Sequence, residues 1–442
     1  MNIIFLAIVL IAFLVAAIRQ IAWDGLGDGI DQSPMELLGA GMVKAAEGSV
    51  TLAIGLIGVM ALFLGLMKVA EAGGLLTIVA RLLRPLMVRL FPEVPADHPA
   101  MGAMIMNFSA NVLGLGNAAT PFGIRAMQEL DKLNPHKGTA TNAMALFLAI
   151  NTSSITLLPT GVIAIRAAAG STDPAGIMPT TLFATICSTS VAIVMAKLLQ
   201  RYWSTGPADL PADLPAAAEK PEGEPVSVPL PETDTYPTGE GYPAWVSILA
   251  LSTIVAMVPV TIVYGRSIAP WIIPGLMVLL LGFGAAKRVK IYEVFVEGAK
   301  DGFQVAVRII PYLVAILVAV GMFRASGALE MLIVPLGAVT NLVGLPPEAL
   351  PMALLRPLSG SGAYGIMASI INDPAIGPDS YTGYLVSTLQ GSTETTFYVL
   401  AVYFGAVNIR RLRHTLFAAL SADLAGIVAA VTICLLLFGA LR

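Results

Sequence analysis

The chain alternates long apolar runs with short polar ones, and the apolar runs have the length of membrane crossings. Residues 2–18, 49–67, 140–165, 175–199, 244–264, 269–286, 305–322, 384–405 and 418–437 are apolar over most of their length. A transmembrane helix needs about 20 such residues, fewer where it extends beyond the lipid. Two further apolar segments carry a Gly-rich centre: Gly114-Leu115-Gly116-Asn117 within residues 99–127, and Ser359-Gly360-Ser361-Gly362 within residues 351–371. Each half is too short to cross, and each centre is too Gly-rich to continue a helix. They predict re-entrant helical hairpins over residues 99–132 and 349–373. Such backbone is tolerated at membrane depth only where protein or a cavity satisfies it. The predicted fold class is therefore all-α and polytopic, about nine transmembrane helices plus two re-entrant hairpins.

Two of the runs are polar at mid-depth. Residues 385–404 read LVSTLQGSTETTFYVLAVYF, with Gln390, Gly391, Ser392, Thr393, Glu394, Thr395 and Thr396 consecutive at the centre. Residues 140–165 hold Asn151, Thr152, Ser153, Ser154 and Thr156, and Pro159 then removes a backbone donor. Both read as discontinuous helices lining a solute site.

The chain also repeats itself. Lys44 and Lys300, Gly65 and Gly321, and Lys68 and Arg324 are each 256 residues apart. In both halves an amphipathic stretch follows (75–91 and 328–343), then a Gly-rich hairpin, a span with a polar centre and a closing span. The polar centres align 240 apart, which sets Ser154 opposite Glu394. An odd number of predicted crossings separates the copies, so the second is expected to be inverted. Inverted repeats with broken helices point to a secondary transporter, with its site at the repeat interface. The domains predicted are a first repeat, 1–203, a linker, 204–243, and a second repeat, 244–442.

Composition agrees with a bilayer location. Hydrophobic residues make up 57% of the 442 and charged ones 12%, half of the roughly 25% of a soluble protein. The mean hydropathy is +0.82. The net charge of -3 sums a basic side and an acidic side. Arg81, Arg84, Arg89, Arg125, Lys132, Lys137, Lys197, Arg201, Lys287, Arg288, Lys290, Arg410, Arg411 and Arg413 fall in loops that share one side if the hairpins do not cross. Asp24, Asp28, Asp31, Asp173, Asp373 and Asp379 fall in the opposite loops. Basic loops face the cytoplasm, so the N-terminus is expected inside a bacterial inner membrane and the C-terminus outside. Residues 204–243 are rich in Pro and Glu without apolar period and read as a disordered cytoplasmic tether. The first apolar run lacks a basic segment and a small-residue cleavage site before Arg19, and reads as a retained span. Cys187 and Cys434 read as core thiols, and no zinc constellation is evident.

Candidate chemistry concentrates in the breaks. Glu394 is a carboxylate in mid-span, which marks a solute or proton path or is neutralised by hydroxyl partners. Arg356 is positioned to clamp a carboxylate or to pair with Glu394. Asn151, Thr152, Ser153, Gln390, Ser392, Thr393, Thr395 and Thr396 offer hydroxyls and amides to a solute, or bond back to their own helices. Asn111, Asn117 and Thr120 flank the first tip, and Ser359, Ser361 and Tyr364 the second. Gly114, Gly116, Gly360 and Gly362 allow tight turns and close approach. No nucleophile–base pair stands out, so no enzymatic activity is expected, and no cofactor or metal. The leading expectation is a secondary transporter of a small polar solute, a nucleoside or an amino-acid-like metabolite, coupled to Na+ or H+. The competing one is a non-transporting membrane factor that keeps the fold as scaffold. No nucleic acid partner is expected.

The run from Asn107 to Gly123, NFSANVLGLGNAATPFG, resembles spore maturation protein A. The runs Arg356–Gly362 (RPLSGSG), Gln390–Tyr398 (QGSTETTFY) and Ala401–Gly405 (AVYFG) resemble spore maturation protein B. The chain thus looks like a fusion of the two, within the nucleoside-recognition (Gate) domain family. Its element order is similar to that of concentrative nucleoside transporters. That resemblance implies an elevator-like domain carrying hairpin tips and broken helices past a scaffold, and by analogy a homo-oligomer. It does not carry over nucleoside-binding residues, since Gly116-Asn117-Ala118 stands near the first tip where those transporters have Gln-Thr-Glu.

Overall fold

The computed structural model describes residues 2–23, 32–153, 156–203 and 241–441. Ser154, Asp24, Asp28, Asp31 and nearly all of the predicted linker lie outside the described residues, as do the side chains of Asn117 and Arg308. Among the described residues the regular elements are helices: α1 (Asn2–Ile21), α2 (Pro34–Ala72), α3 (Leu75–Leu90), α4 (Pro99–Val112), α5 (Gly116–Lys132), α6 (Asn142–Ser153), α7 (Thr160–Ala168), α8 (Met178–Leu199), α9 (Ala244–Ala286), α10 (Ile291–Ala325), α11 (Ala328–Thr340), α12 (Leu350–Leu355), α13 (Gly360–Ile371), α14 (Tyr381–Ser392), α15 (Thr396–Gly405) and α16 (Thr415–Phe438). The kinds of element in α1–α8 recur in order in α9–α16. A long helix and a shorter one lead to a helix pair, a broken helix and a closing helix.

A helix break stands at or beside each Gly-rich centre, between α4 and α5 and between α12 and α13. The first turns at Gly114, whose φ is +73°, a conformation that only Gly adopts without steric cost. Both polar-centred spans are broken: α6 stops at Ser153 before α7, and α14 stops at Ser392 before α15. Among the described residues, three helices are each long and apolar enough to cross a membrane unaided: Pro34–Ala72, Met178–Leu199 and Thr415–Leu441.

One expectation changes form. Residues 244–264 and 269–286, predicted as two crossings, belong to one helix, α9. Its two ends nevertheless lie close together. Tyr242 donates its N–H to Arg81 O at 3.2 Å, while Phe283 abuts Gly73. Eight residues separate Gly73 from Arg81, a reach of at most about 29 Å. A straight helix from Ala244 to Phe283 would span about 58 Å. Therefore α9 doubles back, and its arms are the two apolar runs. Gly265 stands between the arms and Pro270 near the start of the second, residue types at which helices bend.

Two long helices, α2 and α10, pack antiparallel along a seam of small residues. Gly41 meets Ala325, Ala45 meets Gly321, Ala61 meets Gly302 and Lys68 meets Gly298. Small side chains let the backbones approach, which is what binds helices where lipid removes the hydrophobic drive. At its start α2 is held by a capping box: Ser33 Oγ accepts from Glu36 N at 3.4 Å and Ser33 N donates to Glu36 Oε2 at 2.7 Å.

The loops sort to two ends. At one end lie the basic loops. Lys197 Nζ caps α3 at Leu90 O (2.9 Å), and Arg413 Nη2 donates to Trp203 O at 2.8 Å. At the other, Arg324 pairs with Asp373 at 2.8 Å and Arg166 with Asp379 at 3.1 Å. The two broken helices run in opposite directions between these ends. The segment before α6 donates Ala140 N to Arg411 O at 3.0 Å, beyond the end of α15. Arg166, near the end of α7, reaches Pro378 O just before α14, at 2.6 Å.

The seam generates a prediction. A Cβ at Gly302 would lie 2.6 Å from Ala61 Cα, backbone that cannot yield, whereas one at Gly282 meets nothing within 4 Å. Gly302→Leu should destabilise the purified protein by about 1–3 kcal/mol or more. Gly282→Ala should be neutral or stabilising by up to about 1 kcal/mol. Thermal unfolding in detergent compares them, and equal melting temperatures would refute the seam.

Candidate functional site

The two tips and the two breaks meet, and each supplies backbone partners to another. At the first tip, Val112 O accepts from Leu157 N in the first break at 3.0 Å. Gly114 lies so close to that break that a Cβ would sit 2.5 Å from Leu158 O. At the second tip, Pro357 O accepts from Phe397 N at 3.1 Å. The two breaks are joined directly: Glu394 N donates to Thr152 O at 2.8 Å. Thr152 lies in the last turn of α6, whose final carbonyls lack intrahelical partners, so the second break caps the first half's broken helix.

Side chains complete the junction. Asn111 Nδ2 donates to Asn151 Oδ1 at 2.9 Å, tying the first tip to α6. Arg356, buried behind the second tip, donates Nη1 to Thr395 Oγ1 at 3.1 Å and Nη2 to the carbonyl of Thr393. It thereby caps the end of α14. Two tyrosines close the outer contacts in reciprocal fashion: Tyr403 of α15 lies on Gly123 of α5, and Tyr364 of α13 lies on Gly161 of α7.

Several predicted ligands are spent inside their own helices. Thr152 Oγ1 donates to Ala149 O and Ser153 Oγ to Ile150 O, both at 2.9 Å, and Ser392 Oγ donates to Leu389 O at 3.3 Å. Ser359 is the N-cap of α13, accepting from Gly362 N at 3.0 Å. Gln390 is buried, and its Oε1 has no partner among the described residues. Thr120 and Ser361 are half-buried near the starts of α5 and α13. Gly116 and Gly360 are the first residues of those helices.

Glu394 is not buried as the hydropathy pattern implies: its side chain is 48% exposed, and its closest approach to Arg356 is 3.8 Å. The reason is local geometry. Thr393 and Thr395 are extended, so successive side chains point to opposite sides. Thr393 and Thr395 turn inward, and Glu394 turns out.

The buried carboxylate is instead Asp423 on α16, 4% exposed. Its Oδ2 accepts from Thr396 Oγ1 at 2.6 Å, and its Oδ1 has no partner among the described residues. Asp423, Arg356, Ser392 and Thr393 line a cavity of about 10 Å³, room for one water at most. The sequence carries the signal, since Asp423 is the one charged residue within the apolar run 418–437.

Arg166 also falls outside the predicted set. Fully buried, it donates to Pro378 O at 2.6 Å, Ser387 Oγ at 3.3 Å, Ser171 Oγ and Asp173 O at 3.2 Å, and Asp379 Oδ1 at 3.1 Å. Its guanidinium lies 4.3 Å from the centroid of the Tyr384 ring. It latches the end of one broken helix to the start of the other. Burial alone would raise the Asp379 carboxyl, but hydrogen bonds from Ser171 and Thr172, with the charge of Arg166, hold it below the ordinary value. Burial raises neighbouring Asp173.

Such a molecule, whose regular elements among the described residues are helices, several of them apolar enough for a bilayer, has the make-up of a membrane protein. The family model for nucleoside recognition, Gate, matches residues 53–169 and 306–410, one segment in each half. The chain belongs to this Gate family. Spore maturation protein B of Bacillus subtilis (strain 168) is 48% identical over 167 residues, covering 38% of this chain and 93% of that protein. Spore maturation protein A of the same organism is 48% identical over 154 residues, covering 35% of this chain and 79% of that protein. No solved structure matches the chain.

The latch generates a prediction. Arg166→Ala should cost about 3 kcal/mol, because it strands several buried acceptors. Asp379→Asn should cost less, with a definite pH dependence. The Asp379 carboxyl is depressed in the fold, so its stabilisation is fully present above the ordinary value of 3.8 and is lost as pH falls through the folded value below it. Asp173, raised, acts with the opposite sign, and because the charge of Asp379 adds to that raise, its opposing contribution is smaller in Asp379→Asn. The stability gap between wild type and Asp379→Asn, measured by unfolding in detergent, should close only under that acid condition.

Proposed function

We propose that this protein is a secondary transporter of a small polar solute, with nucleosides the first class to test, working by alternating access in the bacterial inner membrane. The observation that carries the reading is the junction itself. Two broken helices and two hairpin tips converge on buried polar groups, the arrangement by which transporters build a midplane site. The antiparallel course of the broken helices and the reciprocal Gly123–Tyr403 and Gly161–Tyr364 contacts support two inverted-topology repeats with re-entrant hairpins. The α2–α10 pair supplies a scaffold, and the hairpins with the broken helices form an elevator-like moving part. Basic loops at one end support a cytoplasmic N-terminus and an external C-terminus. A homo-oligomer is the form in which such a scaffold would be anchored. The family's description, nucleoside recognition, favours a nucleoside over an amino-acid-like solute.

A second reading has its own observation. The cavity holds no more than one water, and Thr152, Ser153 and Ser392 bond to their own helices. These features also suit a non-transporting membrane factor that keeps the fold as scaffold, as the spore-maturation relatives' names allow. Uptake by the purified protein in liposomes, with a mixture of labelled nucleosides under imposed H+ or Na+ gradients, separates the two. A transporter should accumulate at least one nucleoside, and Glu394→Gln or Ser392→Ala should lower the rate about tenfold. No accumulation under any gradient would leave the scaffold reading.

A further inference from the structure

Asp423 is the one buried carboxylate at the junction, and half of its hydrogen-bonding capacity is unused. Thr396 satisfies Oδ2 at 2.6 Å. Oδ1 has no partner among the described residues and belongs to a residue lining the small cavity. A buried carboxylate with an unmet oxygen is costly as an anion, and protonation removes that cost. The cavity admits one water or less, so any species exchanged there is very small. The other charged residue lining it is Arg356, whose guanidinium is a permanent cation that disfavours a second metal cation in the same space. A proton on Oδ1 meets neither obstacle and leaves the Thr396 bond intact.

Other titratable groups near Asp423 do not offer the same chemistry. On the elements packed against α16 these are Cys187 and Lys197 of α8, Tyr381 and Tyr384 of α14, and Tyr398 and Tyr403 of α15, while α6 has none. Glu394, in the break, is half exposed and lies 3.8 Å from Arg356. Within the cavity, Arg356 is the charge that Asp423 faces.

We propose that Asp423 is the proton-binding residue of the transport site, taking up and releasing the coupling proton on Oδ1. This rests on the transporter reading above. Arg356 gives the proton a mechanical consequence. It joins the second tip to the α14–α15 break through Thr393 and Thr395, and it shares the cavity with Asp423. An ionised carboxylate attracts the guanidinium across the cavity, and the tip with it, toward α16; a protonated one does not. Proton uptake and tip movement are then linked, and the linkage is reciprocal.

Two measurements test this. Infrared difference spectra of the purified wild type between about pH 5 and about pH 8 should show a protonated carboxyl band at the acid end. Asp423→Asn should lack it, and Asp423→Glu should keep it at a shifted frequency. An identical band in wild type and Asp423→Asn would overturn the assignment. The second measurement is uridine uptake into liposomes, read as the ratio with and without an inward proton gradient. In wild type and Asp423→Glu an inward gradient of about one pH unit should raise uptake up to about tenfold, and in Asp423→Asn the ratio should fall to one. A wild-type ratio in Asp423→Asn, or uptake driven by Na+ alone, would overturn proton coupling here while leaving transport standing. Wild-type uptake of no solute, with the Asp423-dependent band present, would remove the transport reading and keep the proton site.

Discussion

A helix broken inside a bilayer frees backbone groups that no water reaches, and each unmet group costs several kcal/mol. That constraint governs the centre of this protein. Two breaks and two tips release donors and acceptors, and they are placed so that each serves another. Leu157 N finds Val112 O, Phe397 N finds Pro357 O, Glu394 N finds Thr152 O, and the Thr393 carbonyl takes the guanidinium of Arg356. None of these segments could hold its shape alone. The hairpins need the breaks, and the breaks need each other. The α2–α10 seam and the Arg166 latch hold the two halves close enough for the exchange.

Much of the fold is legible in the chain because membrane folding is governed by coarse quantities. Gly-rich and polar centres mark where helices stop, between α4 and α5, α6 and α7, α12 and α13, and α14 and α15. Where the pattern fell short, the cause was specific. Polar Gly265-Arg266-Ser267 reads as a loop between two crossings, yet an α-helix tolerates Arg and Ser at little cost, so the two arms are assigned to one helix that nonetheless returns to its starting end. Hydropathy registers the arms and says nothing about hydrogen bonding between them.

The setting of individual side chains is less legible than the position of the breaks. Composition located the polar centres, but it could not distinguish a hydroxyl offered to a solute from one bonded four residues back along its own helix, as Ser387 is to Gly383 O at 2.7 Å. Glu394 drew attention because it interrupts an apolar run, but a three-residue extended segment reverses which side its neighbours face. Asp423 carried the same signal within a run otherwise too apolar to arouse suspicion. Arg166 stood one residue beyond a predicted span, where a basic residue is ordinarily an interfacial anchor. Only the approach of residues 378–387, over two hundred positions away, makes it a buried latch.

The two halves share a frame and differ in chemistry. Backbone partnerships recur on both sides of the junction, and so do the Gly–Tyr contacts. The polar side chains do not recur. The first tip, Leu113-Gly114-Leu115, has no charge, and its link to α6 is the neutral pair Asn111–Asn151. The second tip is held by Arg356 beside Asp423 and Glu394. A neutral contact has an energy nearly independent of protonation, while a contact between charges is lost or gained with one proton. In the transporter reading, the repeated frame therefore supplies two arrangements of similar energy, and the charged half determines which is favoured. Function would then be carried by the differences between the repeats, and the second tip, rather than the first, would be the part that responds.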